Sequence, residues 1–221
     1  MTSAVATITK ERVEPAMSVA RGIALGVQPA VDDIGAIRAW IPFGVTRHLT
    51  ATREQVTRLV VELTNLAPQP GARLLVLGTD VRTIATEARN ALRARIGILP
   101  ADGGLISHLD AWENIVLPLG YHHPQALHGA EERVMNLIRR CGLEPRTLLP
   151  KLLEEMTSFE ARVTAFVRLM LDAPELVIAE DFPDAAEGRG DQDSGERAFT
   201  AVYRAARAGG TFIQLQSARR P

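Results

Sequence analysis

Two hydrophobic spacings share this chain. Val56, Leu59, Val60, Leu63 and Leu66 fall at i, i+3, i+4, i+7 and i+10, which predicts a helix over residues 50–66 with one apolar face. Residues 84–95 and 131–141 read as further helices, the second closed by Gly142 as a C-cap. Residues 150–171 read as a helical region interrupted at 156–159. There Thr157 or Ser158, followed by Glu160, has the form of an N-cap with an acid in the first turn. Residues 196–208 make the last helix. Between the helices lie short apolar runs at 19–27, 37–41, 74–78, 96–99, 176–179 and 211–216, with the length and composition of buried strands. The apolar stretch 109–119 is expected to stop at Pro118, and residues 1–16 show no period, the pattern of a frayed lead-in. Strands alternating with helices predict an α/β fold with a mostly parallel sheet.

The run 176–179 ends on two adjacent acids, Glu180 and Asp181. Ligands of open α/β sheets bind at the carboxyl ends of the strands, and carboxylates there often meet a metal–phosphate group. A strand that ends in a solvated acidic turn has the same local sequence. The rest of the chain has to decide between these readings.

Bulk properties remove several function classes. The 221 residues carry a formal net charge of −1, which gives no electrostatic case for binding nucleic acid or an anionic membrane. The one cysteine, Cys141, excludes an internal disulfide and reads as a small core hydrophobe. His122, His123 and His128 cluster without a nearby acid or Cys, and an exposed loop suits them better than a metal site. No run approaches the ~20 apolar residues that span a bilayer, and the first 14 residues lack the apolar core of a signal peptide. A cytoplasmic protein is expected.

Three segments go further: residues 74–78, the run 95–119 with Trp112-Glu113-Asn114-Ile115-Val116-Leu117-Pro118-Leu119, and 168–181. In this order they resemble the nucleotide-binding subunit of an ABC transporter, and among such subunits the phospholipid-trafficking (MCE-type) permease subgroup. The resemblance runs from about Gly35 to Ala218. It implies a P-loop NTPase-like α/β domain with a mostly parallel sheet, flanking helices and a small helical lobe at about 105–170, all within one domain over 1–221. It also implies Mg-ATP as ligand, and as partners a membrane permease subunit, an intact ATPase subunit or a second copy. The protein would then sit peripherally at the inner membrane through its permease. In the family the segment after the Q-loop receives the permease, which makes Leu109, Trp112 and Ile115 the candidate docking residues.

The chemistry departs from the family at each station. A P-loop needs glycines so that backbone N–H groups wrap phosphate oxygens, with a Lys and a Ser/Thr beside them. If strand 37–41 leads into it, only Gly44 remains and His48 takes the Lys position, with Thr50 beyond; counting back from Pro68 puts Glu54-Gln55-Val56-Thr57 there instead. Ala101 stands at the Q-loop glutamine, and Met156-Thr157-Ser158-Phe159 at the signature motif, where Phe replaces a glycine. Glu180 stands at the Mg²⁺-linked Asp, Asp181 at the general-base Glu, Glu187 at the D-loop Asp and Ser217 at the switch His. The expectation is a degenerate, non-hydrolysing relative whose remnant ATP site comprises Gly44, His48, Thr50, Thr157, Ser158, Glu180, Asp181 and Ser217. The competing expectations are a divergent active ATPase using Glu180 and Asp181 with Arg47 or His48, and a regulatory or scaffold protein that has left transport.

Overall fold

The structure, a computed structural model, describes residues 22–30, 33, 36–122, 124–181 and 194–218. The chain divides into two compact units: Met1–Ile98 with Glu175–Asp181 and Ala208–Pro221, and Leu99–Pro174 with Phe182–Arg207.

The first unit contains two four-stranded sheets. One has the order β2-β1-β4-β5 and is antiparallel, built from β1 (Ile23–Gln28), β2 (Ala39–Pro42), β4 (Arg73–Val76) and β5 (Thr79–Asp80). The other has the order β3-β8-β7-β6, from β3 (Thr46–Ala51), β8 (Thr211–Ser217), β7 (Leu176–Glu180) and β6 (Ile96–Leu99). In it β8 lies parallel to both β3 and β7. The parallel sheet is therefore one of two, rather than the bulk of the strands.

Helix α1 (Arg53–Asn65) shares one core with both sheets. Its face Val56, Leu59 and Leu63, with the cap residue Leu66, is buried against Leu25, Val27, Leu74 and Val76 of one sheet and Leu176, Ile178, Ile213 and Leu215 of the other. Each such aliphatic side chain contributes roughly 1.5–3 kcal/mol on leaving water. Thr52 caps α1 with a full capping box, and Leu66 ends it in the left-handed conformation at φ 48°. Helix α2 (Thr86–Arg93) completes this unit.

The second unit is helical: α3 (Ala111–His122), α4 (Ala130–Arg140), the single turn α5 (Pro145–Leu148), α6 (Ser158–Leu171) and most of α7 (Ser194–Ala208). Helices α3 and α4 pack on α6. Phe166 of α6 meets Phe199 and Tyr203 of α7 edge-on, with ring centroids 5.4 and 5.6 Å away. Such pairs add to the area they bury.

Four expectations change. Residues 46–51 form a strand, so the predicted helix begins three residues late, at Arg53. The strand at 37–41 becomes β2, an antiparallel partner of β1 with Trp40 opposite Gly26. Pro118 lies inside α3 instead of ending it. His122 is the last residue of that helix and His128 an exposed turn residue, while His123 lies outside the described residues. Residues 1–21, which hold the frayed lead-in and the start of the first strand run, also lie outside the described residues, as do 182–193 with Glu187.

Candidate functional site at the carboxyl edge of the parallel sheet

Strands β3, β8 and β7 point the same way, so Ala51, Ser217 and Glu180 end at a common edge. Asp181 follows Glu180 at φ 42°, a left-handed conformation that a non-glycine residue adopts at some cost. Its N–H donates to the Leu215 carbonyl at 2.8 Å. Both of its carboxylate oxygens are engaged by one residue: the Ser217 N–H donates to Oδ1 and the Ser217 hydroxyl to Oδ2, each at 2.6 Å. One step on, the Ala218 N–H donates to the Ala51 carbonyl at 2.7 Å. The edge is thus stitched across three strands by the chain itself.

The connection from β3 to the following helix is decisive for phosphate chemistry. A P-loop is a strand, a glycine-rich loop of the form GxxxxGK[ST], and a helix. Here β3 ends at Ala51 and α1 begins at Arg53, with Thr52 alone between them. The Thr52 N–H donates to Gln55 Oε1 at 2.8 Å, and the Gln55 N–H donates back to Thr52 Oγ1 at 3.3 Å. Groups that a phosphate would take in a P-loop are turned on each other in a capping box.

Of the remnant positions expected from sequence, this edge brings together Glu180, Asp181 and Ser217. Gly44 lies elsewhere. It occupies the β2–β3 turn, its N–H donating to Thr211 Oγ1 at 3.0 Å at the start of β8. Seven residues of extended chain put it roughly 20 Å from Ala51. His48 and Thr50 are ladder residues of β3, opposite Gln214 and Gln216. They belong to a strand, because side chains at 47, 48 and 50 around Leu49 make an edge-strand pattern and a phosphate loop needs glycine freedom. Arg47, opposite Ile213, is likewise mid-strand. Glu54, Gln55, Val56 and Thr57, the positions reached by counting back from Pro68, lie in the first turns of α1.

In the helical unit, Thr157 is the N-cap of α6: the Glu160 N–H donates to its hydroxyl at 3.2 Å, and its own N–H donates to Glu160 Oε2 at 2.8 Å. Burial raises the Glu160 carboxyl, but the Lys151 ammonium at 2.8 Å and the cap bonds more than offset this and hold it below the usual range. Ser158 is the first, exposed, residue of the helix. Phe159, next in the helix, is half-buried. Its ring turns to α7, edge-on to Phe199 at 6.0 Å and beneath the Arg162 guanidinium at 5.7 Å.

Two residues that periodicity does not reveal organise the neighbouring loops. Asn114, fully buried, accepts from the Ile106 N–H at 2.7 Å, and its amide donates to the carbonyls of Ile106, Leu109 and Asp110, each at 3.0 Å. Arg168 donates to the carbonyls of Gly103 and Gly104 at 2.6 and 2.7 Å, fixing the loop that carries the exposed Ala101. Of the three docking candidates, Leu109 and Trp112 are half-buried, while Ile115 is 1% exposed and belongs to the core. The described residues hold no group of three metal-ligating side chains and no helix long and apolar enough to cross a membrane.

Comparison with solved structures places this architecture. The chain superposes on CbiO1 of Clostridium perfringens, part of the ABC transporter complex CbiONQ, with a TM-score of 0.64 and 16% identity, over 90% of this chain and 79% of that one. The fold is that of an ATP-binding cassette. A dimeric ATP-binding cassette in a post-hydrolysis state with ADP and Pi gives a TM-score of 0.62 and 14% identity, over 90% of this chain and 87% of that one. In sequence the cassette is similar to methionine import ATP-binding proteins. MetN 2 of Pseudomonas aeruginosa is 24% identical over 151 residues, 68% of this chain and 44% of the relative. MetN of Bifidobacterium longum is 24% identical over 168 residues, 76% of this chain and 40% of the relative. The chain therefore spans less than half the length of the curated relatives it matches. No family model matches it.

Proposed function

We propose that this cassette is a non-hydrolysing ABC-type subunit of a transport system, acting by binding a permease and a partner ATPase or second copy. The observation that carries the reading is the single-residue junction at Thr52, where a phosphate loop would need about half a dozen more residues. A Mg–nucleotide does not suit this edge. No Lys stands at the junction, the N–H groups of Thr52 and Gln55 are bonded within the cap, and Ser217 occupies both oxygens of Asp181. Leu109, on the loop bonded to Asn114, and Trp112, in the first turn of α3, are the proposed contacts with a permease, and Ile115 supports them from the core. Thr157 and Ser158 at the start of α6 are the groups it would present to a partner's nucleotide.

The ordered run 95–119 supports a lipid system as the cargo class, whereas the curated relatives are named for methionine import. Isothermal titration with Mg-ATP tests the enzymatic half. The expected result is no saturable binding at millimolar nucleotide and no phosphate release. Binding in that range, with turnover lost in Asp181→Asn, would establish the divergent-ATPase alternative instead. Affinity purification from cells tests the other half: recovery of a permease is expected, recovery of an MCE-type component selects lipid, and absence of any transport component favours the scaffold alternative.

A further inference from the structure

Helix α3 is apolar on both of its sides. Ala111, Asn114, Ile115 and Leu119 are buried within the helical unit, where α3 packs on α6. At 3.6 residues per turn the opposite face is Trp112, Glu113, Val116, Leu117, Gly120 and Tyr121. Trp112, Val116, Leu117 and Gly120 are half-buried, and Tyr121 is 83% exposed. A surface helix ordinarily turns polar and charged residues to that side. Here Glu113 alone is charged. Single apolar residues on a surface need no explanation, whereas a contiguous apolar face marks an interaction site.

The charge around this face has one sign. Between Arg95 and Arg133 the chain holds five acids and no Lys or Arg, although its net charge is only −1. Asp110 and Glu113 lie at the N-terminal end of the face, each accepting the other's backbone N–H, at 2.8 and 3.0 Å. The segment 149–155 is bonded alongside them. The Ala111 N–H donates to the Lys151 carbonyl at 2.9 Å and the Trp112 N–H to the Leu149 carbonyl at 3.1 Å. That segment adds the exposed Glu154 and Glu155, and its one cation, Lys151, is paired with Glu160 at 2.8 Å. An apolar strip with acids at its end repels an anionic membrane surface and matches a segment that is apolar on one side and cationic beside it. Cytoplasmic segments of membrane proteins carry an excess of Lys and Arg, and an amphipathic helix laid on an apolar face is a recurring mode of recognition.

We propose that the outer face of α3 binds a cationic amphipathic helix of a membrane partner. Its apolar side lies on Trp112, Val116, Leu117 and Tyr121, and its Lys or Arg side chains face Asp110, Glu113, Glu154 and Glu155. The inference rests on the permease reading and gives the docking segment its chemistry, basic and helical. It also carries the contact beyond Leu109 and Trp112, along the length of the helix.

The test is a titration of the full chain, in a Trp40→Phe background, followed by Trp112 emission. The probe is the helical peptide acetyl-Lys-Leu-Leu-Lys-Lys-Leu-Leu-Lys-Lys-Leu-Leu-Lys-amide. Two controls accompany it: the same peptide with Glu for every Lys, and a strictly alternating Lys-Leu peptide of the same composition. Saturable binding of the probe is expected, at least tenfold tighter than either control and weakening as sodium chloride is raised. Leu117→Ser should weaken it at least tenfold, and the exposed pair Glu154→Gln with Glu155→Gln should weaken it and flatten the salt dependence. The proposal is overturned if either control binds as well as the probe, or if Leu117→Ser binds like the parent with its circular dichroism unchanged. Sedimentation as a dimer that Leu117→Ser dissociates would assign the face to a second copy instead. Binding to phosphatidylglycerol vesicles that the same variant abolishes would assign it to lipid, and either result overturns the proposal. Failure here is distinct from failure of the transporter reading. A permease recovered from cells by a chain that ignores the probe docks elsewhere, whereas probe binding without any transport component keeps the face and removes the transporter.

Discussion

Replacing Ser217 and Asp181, singly and together, measures how far the chain itself closes the sheet edge. Ser217→Ala removes one bond to a charged acceptor and leaves the backbone bond in place. Asp181→Ala removes both and leaves the Ser217 N–H without its acceptor. Hydrogen bonds to charged groups contribute about 1.5–3 kcal/mol, and half-burial of both residues argues for less. Ser217→Ala should therefore cost about 1 kcal/mol and Asp181→Ala about 2 kcal/mol. The double variant should cost little more than Asp181→Ala, because the hydroxyl has lost its acceptor already. The resulting coupling is about 1 kcal/mol, or about 2–4 °C in a chain of this size. The φ of 42° at Asp181 adds a second check. Asp181→Gly loses the same two bonds yet relieves the left-handed conformation, so it should be milder than Asp181→Ala by roughly 0.5–1 kcal/mol. Urea unfolding followed at Trp40, in a Trp112→Phe background, reads the first unit alone. Additive single variants, with coupling below about 0.3 kcal/mol, would show that Asp181 is a solvated turn acid and that the contact carries no load.

Three further outcomes are expected. Gly142→Ala should destabilise by about 2–4 kcal/mol in thermal melts, because the residue sits at φ 83° and a Cβ would stand 2.6 Å from the Gly195 Cα. Asn114→Ala should cost about 3 kcal/mol and shift Trp112 emission, since four bonds to the 106–110 loop are lost inside the core. The Arg95 guanidinium, 2.6 Å from Glu175, holds that carboxyl below its reference value of 4.5. A depressed acid stabilises the fold above the unfolded value, so this contribution should fade as the pH falls through the folded-state value. Its size is small because both side chains are about half exposed, and Glu175→Gln should remove the pH dependence of the urea midpoint that it causes.

The sequence carried the helices better than the sheet edge. The period of Val56, Leu59 and Leu63 announces a helix because one face is buried throughout. Strand β3 is silent by comparison: it lies at the edge of its sheet, and Arg47, His48 and Thr50 break up its apolar pattern. The strand separates Gly44 from the edge where β3 ends and makes His48 and Thr50 ladder residues. Residues 176–179 were legible because a central strand is apolar on both faces. The Asp181–Ser217 contact joins residues 36 positions apart, and only the parallel register of β7 and β8 brings them together. Asn114 and Arg168 act by hydrogen bonds to main-chain carbonyls, a role to which hydrophobic periodicity is blind. Phe159, read in the sequence only as a replacement for a glycine, is half-buried and packs edge-on to Phe199.

The single residue between β3 and α1 also constrains how such a protein can change. A lost lysine or glutamine can return by one base change, and reversion then competes with drift in every generation. A loop cannot arise that way, because no substitution lengthens the path between Ala51 and Arg53. A phosphate loop at this point would take an in-frame insertion of about half a dozen residues, together with release of the Thr52–Gln55 box. Grafting single side chains onto this chain is therefore a losing strategy for engineering nucleotide binding, and a loop transplant is the smallest edit that would test it.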